Sequence, residues 1–92
     1  MTINVELMEI FPVETRGEYQ FRKVWVKTLD KEYPQTLEFE LSKSLIKKIN
    51  EIAHVGNNYK IDINLKGRKS DRDGNVRVFN IIQAWQFTKL DS

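Results

Sequence analysis

The chain has 92 residues, 40% of them hydrophobic and 30% charged, with a formal charge of +2 and no cysteine. That length supports one globular domain, residues 1–92, with a modest core, and the absence of cysteine excludes disulfide frameworks and thiolate metal sites. No stretch approaches the roughly 18 apolar residues of a membrane span, and the N-terminus lacks the basic start and apolar run of a secretory signal, so the expected setting is the cytoplasm.

Ile3, Val5 and Leu7 alternate with polar residues, and the alternation slips at Glu9 before Ile10 and Val13. This predicts a long first strand with a bulge near Met8 and Glu9. Glu14 to Glu18 contains Gly17 and reads as a mobile turn or loop, followed by a strand from Tyr19 to Leu29. Asp30 to Gln35, with Tyr33-Pro34, is a second turn. Thr36 to Leu41 alternates cleanly, placing Leu37, Phe39 and Leu41 on one face.

The period changes after Leu41. Leu45, Ile46, Ile49, Ile52 and Ala53 form one apolar stripe of an amphipathic helix over Ser42 to Ala53, with Ser42 or Ser44 as N-cap and Gly56 as its stop. Tyr59 to Arg68 returns to strand alternation, Ser70 to Asn75 reads as a hairpin loop turning on Asp73-Gly74, and Val76 to Lys89 is a last long strand. The order is three strands, a helix and two strands. In a domain of this size it is the order of an OB-fold, a mainly β, five-stranded Greek-key barrel with one helix between strands 3 and 4. An SH3-like barrel is the nearest competitor, but it has no natural place for such a helix.

Positive charge is concentrated in two segments. Arg16, Arg22, Lys23 and Lys27 lie close together, as do Lys60, Lys66, Arg68, Lys69, Arg72 and Arg77, while Asp30 to Glu40 is acidic. The surface that an OB-fold uses for oligonucleotides is its second and third strands with the loops joining strands 1–2 and 4–5. Here those elements are Gln20 to Leu29, Thr36 to Leu41, Glu14 to Tyr19 and Lys69 to Asn75, so both basic segments fall on them.

Aromatic rings interleave with the cations, the combination that holds single-stranded nucleic acid by stacking and phosphate contact. The expected stacking rings are Phe21, Trp25 and Phe79, with Tyr19 contributing from the first loop. Lys23, Lys27, Arg68, Lys69, Arg72 and Arg77 are the expected phosphate ligands. Two orientations remain open. Val24 and Val26 face the core if Trp25 faces out, and the reverse places Trp25 inside with Lys23 and Lys27 at the rim. Phe79 is either a second stacking ring or the lid of a core. Tyr59, Phe39 and Trp85 are expected in the core.

Catalytic constellations are scarce. His54 is the sole histidine and falls at the helix end, where capping or surface use accounts for it. Glu38 and Glu40 share a strand face without a walled cleft and are expected to pair with Lys23 or Lys27. Asp71 to Asn75 resembles part of a calcium loop, but Ile82 occupies the position of the closing glutamate. There is no Gly-rich phosphate loop. The expectation is a non-enzyme without catalytic residues, metal or cofactor.

The segment from Gly17 through the Phe-Arg-Lys and Trp-Val-Lys run to Tyr33-Pro34, with Ala84-Trp85, resembles a family of small bacterial and phage proteins known as a domain of unknown function. That resemblance implies an OB-fold related to single-stranded DNA-binding proteins. It further implies a role with single-stranded DNA in replication or recombination, with a phage as one setting and replication or recombination proteins as partners. RNA in place of DNA stays open, as does homo-oligomerisation through exposed strands. The sequence ends in Leu90-Asp91-Ser92 without the acidic tail of better-known single-stranded DNA-binding proteins, so tail-mediated recruitment of repair enzymes is not expected. The alternative function is a protein-interaction module with Trp25 and Phe21 as hot spots and no nucleic-acid binding.

Overall fold

A computed structural model describes residues 1–90. Seven strands form, β1 (Thr2–Ile10), β2 (Glu14–Arg16), β3 (Tyr19–Phe21), β4 (Lys23–Thr28), β5 (Thr36–Leu41), β6 (Asn58–Arg72) and β7 (Asn75–Lys89), with two short helical turns, α1 (Lys43–Ile46) and α2 (Ile49–Ile52), between β5 and β6. Five strands pair in the order β1-β4-β5-β7-β6, and β6 returns to β1 to close a barrel. All contacts are antiparallel except β5 with β7.

Alternation decides what the barrel buries. Val5 and Leu7 of β1, Val24 and Val26 of β4, Phe39 of β5, and Tyr59 and Ile61 of β6 are at most 1% exposed. The slip after Leu7 is a bulge: Leu7 pairs with Val26 and Glu9 with Trp25, leaving Met8 as the extra residue. It lets β1 pair with β6 along its first half and with β4 along its second.

The first expected loop is instead a hairpin. β2 pairs with β3 through Glu14 to Phe21, Thr15 to Gln20 and Arg16 to Tyr19, across a two-residue turn in which Gly17 has φ 64°. A glycine at the first central position suits the twist of such a hairpin. The expected Tyr19–Leu29 strand is broken at Arg22. Its side chain leaves the strand pattern, Nε donating to the Phe11 carbonyl at 2.6 Å and Nη1 to the Ile46 carbonyl at 3.0 Å.

Arg22 also bears on the helix, which is two turns rather than one helix over Ser42 to Ala53. The Ile46 carbonyl that Arg22 occupies is the acceptor a continuous helix would offer to the Asn50 amide. The chain turns instead through Lys47 and Lys48, where the Lys48 amide bonds to the Leu45 carbonyl at 3.2 Å, a tighter i to i+3 contact. Leu45, Ile46, Ile49 and Ala53 still plug the barrel, whereas Ile52 is 40% exposed. Ser42 stands at the N-cap without a capping side-chain bond. Gly56 does not stop a helix: at φ 95° it forms a turn whose amide bonds to the Leu7 carbonyl.

The largest departure from expectation is the last hairpin. β6 and β7 stay paired from Asp62 and Gln86 up to Arg72 and Asn75, so the expected loop from Ser70 is a two-residue turn at Asp73 (φ 53°) and Gly74 (φ 76°). Two positive-φ residues fit a type I′ turn, which continues the strand twist. Beyond Leu65 and Ile82 the pair leaves the barrel as a free ribbon, consistent with a molecule 50 Å in its longest extent and 19 Å in its shortest. Trp85, expected in the core, is 43% exposed. Asp62 pairs with Gln86 and Ile63 with Ala84, so Trp85 is the extra residue of a bulge, placed outside between inward Ala84 and Phe87.

A candidate nucleic-acid interface

Strand register places most of the expected site residues on one surface. With Val24 and Val26 fully buried, Lys23, Trp25 and Lys27 project from the outer side of β4, and Trp25 is 40% exposed. Their partners on β5 are Glu40, Glu38 and Thr36. Glu40 in turn pairs with Gln83 of β7, so the outer side of β5 continues onto the ribbon face that carries Gln83, Ile81, Phe79 and Arg77. Across the ribbon, Ile81 faces Lys66, Phe79 faces Arg68, Arg77 faces Ser70 and Asn75 faces Arg72.

Lys66, Arg68, Arg72 and Arg77 therefore share one ribbon face with Phe79 and Ile81, and no residue on that face from Asn64 to Gln83 carries a carboxylate. A concavity of about 700 Å³ near the ribbon tip is lined by Arg68, Arg72, Arg77 and Phe79, with Asp71 and Asp73 at its border. Phe79 is 47% exposed, so it does not lie over the core. Lys69 borders the same concavity but sits opposite Val78 on the other face, with Leu65, Val76 and Asp71. Lys66, a member of the second basic segment, and Ile81 are not among the expected ligands and rings, although Lys66 alternates in step with Arg68.

The β4–β5 section is more nearly balanced in charge. Trp25 Nε1 donates to Glu38 at 2.9 Å, its ring meets Phe11 edge-on at 4.6 Å, and Lys23 Nζ lies 3.3 Å from the second Glu38 oxygen. The Trp25 hydrogen bond, with Lys23 beside it, holds the Glu38 carboxyl below its ordinary pKa. Among the described residues Lys23–Glu38 is the sole ion pair, which leaves the ribbon's cations unpaired.

At the far side of β4, the hydroxyl of Tyr19 donates to Glu40 at 2.5 Å, and that bond, with some burial and the carboxylate charge, raises the phenol pKa. Tyr19 stacks on half-buried Phe21 with centroids 5.9 Å apart, while Arg16 and Lys23 each approach the Phe21 ring at 5.7 Å. Tyr19 is the more open ring of the pair at 50% exposure. The two basic segments thus approach the β4–β5 surface from opposite sides. β2–β3 joins it beside Lys23, and the ribbon runs from Ala84, next to Leu41, toward and past the Thr36 end, since β7 lies parallel to β5.

Residues 2–88 match a family described as Domain of unknown function (DUF3127). The chain belongs to that family. No curated protein matches it in sequence. Among solved structures, it resembles the mitochondrial single-stranded DNA-binding protein Rim1 of S. cerevisiae, with a TM-score of 0.73 at 13% identity, covering 98% of this chain and 92% of the other. It also resembles a small single-stranded DNA-binding protein of Streptomyces coelicolor, with a TM-score of 0.51 at 18% identity over 97% of this chain and 93% of that one. At such identities these likenesses establish the OB-type fold alone. Among the described residues there is no cluster of three histidine, cysteine, aspartate or glutamate residues able to hold a metal, and no helix long and apolar enough to cross a membrane.

Proposed function

We propose that this DUF3127 protein is a non-enzymatic module that binds single-stranded DNA with little sequence preference and serves replication or recombination. The observation that carries this reading is the ribbon face, where four cations without an ion-pair partner among the described residues lie with Phe79, and without a carboxylate, on a surface continuous with Trp25. Arg68, Arg72 and Arg77 take phosphates while Phe79 and Trp25 stack on bases, with Lys23 and Lys27 beside Trp25 and the Tyr19–Phe21 pair beyond them. Such contacts use the backbone charge and the π-face common to all bases, which is why little sequence preference is expected.

Titration with oligo-dT while recording tryptophan fluorescence tests this. Quenching that weakens steeply with added salt supports it; no quenching at low salt, or binding indifferent to salt, refutes it. A second reading, a protein-interaction module, is favoured by the other ribbon face, where Leu65, Val76 and Val78 are each more than half exposed. Recovery of a stoichiometric protein partner after nuclease treatment, from a chain with no measurable DNA affinity, would select that reading instead.

A further inference from the structure

A second concavity, of about 460 Å³, lies where the β2–β3 hairpin meets α1, and its lining includes Tyr19, Gln20, Lys43 and Lys47. Lys43 and Lys47 are four positions apart on a helical turn, a spacing that sets two side chains on one side of it. Both are exposed, and neither forms an ion pair among the described residues. Glu18 is the one carboxylate of the lining.

The fold holds both walls of this concavity in place. Arg22 fastens the Ile46 carbonyl of α1 to the Phe11 carbonyl at the end of β1, while Tyr19 on the opposite wall is tied to Glu40 of β5. Tyr19, whose hydroxyl reaches Glu40 on the outward side of β5, also lines the concavity, so one ring borders both surfaces.

We propose that Lys43 and Lys47 form a phosphate-binding extension of the nucleic-acid path, so that a longer single strand runs from the ribbon across Trp25 and Tyr19 onto α1. The extension rests on the assignment of single-stranded DNA to the outward face, and its ligand is the sugar-phosphate backbone of that same strand. Lys43 and Lys47 supply charge, while Tyr19 supplies the last stacking surface before them.

The test is the salt dependence of affinity for a short and a long oligo-dT, measured for the wild-type chain and for Lys43→Gln/Lys47→Gln, with a thermal melt to verify folding. For the long oligonucleotide the log-log salt slope is expected to fall by about 1.4, from roughly 0.7 per single-strand phosphate contact. For the short one, held by the ribbon and Trp25, the slope stays as in the wild type. If the variant keeps the wild-type slope on the long oligonucleotide, the extension is wrong while the outward-face assignment stands. If the wild-type chain binds neither length, both fall.

Discussion

β6 and β7 serve two different purposes along their length. In their barrel portion, Tyr59, Ile61, Ile63 and Ala84 are at most 4% exposed, and each strand is supported by β1 or β5. In the ribbon the same two strands have only each other, and Leu65, Val78 and Phe79 are between 47% and 65% exposed. A two-stranded ribbon is marginal by itself, so this one depends on the barrel as an anchor and contributes little to the core. Its residues are correspondingly free to be chosen for charge and ring content, which is what the cation-bearing face shows.

Substitutions should separate the two regions. The largest effect is expected in the barrel: Phe39→Ala, which removes a fully buried ring, should destabilise by about 3–5 kcal/mol in a denaturant melt. Arg77→Ala on the ribbon should stay within about 0.5 kcal/mol in the same melt. Binding should respond in the opposite sense. Phe79→Ala is expected to lose about 1–3 kcal/mol of oligo-dT affinity without a matching loss of stability. A similar stability loss at Arg77 and at Phe39 would abolish the contrast.

A smaller effect concerns Glu38. Its carboxyl pKa lies below the ordinary value because Trp25 and Lys23 favour the charged form. A depressed carboxylate contributes its stabilisation above the unfolded-state pKa and loses it as pH falls through the folded-state value. In a Trp85→Phe background, Trp25 emission should therefore change with a midpoint below the usual glutamate range, and Glu38→Gln should remove that step. A midpoint at the ordinary value would show that the Trp25–Glu38 contact is not made in solution.

Much of this arrangement is legible in residue order, and the exceptions have physical causes. The β5 bounds, the Met8 bulge and the Asp73-Gly74 turn follow from alternation and turn chemistry, which are local. The outward position of Trp25 was undecidable from its own strand, because Val-Trp-Val flanked by lysines suits either parity; burial of both valines settles it. The break at Arg22 and the split helix meet at one contact, a side chain reaching carbonyls 11 and 24 residues away, which no local pattern reveals. Trp85 misled because one bulge residue in β7 reverses the alternation. The ribbon's length was underestimated because Ser70, Asp71 and Arg72 have turn-like composition but pair with Arg77, Val76 and Asn75.

In the proposed function the ribbon's cation-bearing face, and not its apolar back, meets single-stranded DNA. Mapping side-chain NMR shift changes on adding oligo-dT at low salt tests it most directly. The expected result is a set of changes at Arg68, Arg72, Arg77 and Phe79 extending to the Trp25 indole, with Leu65 and Val78 unmoved. Changes confined to Leu65, Val76 and Val78, or none on the ribbon at all, would contradict it.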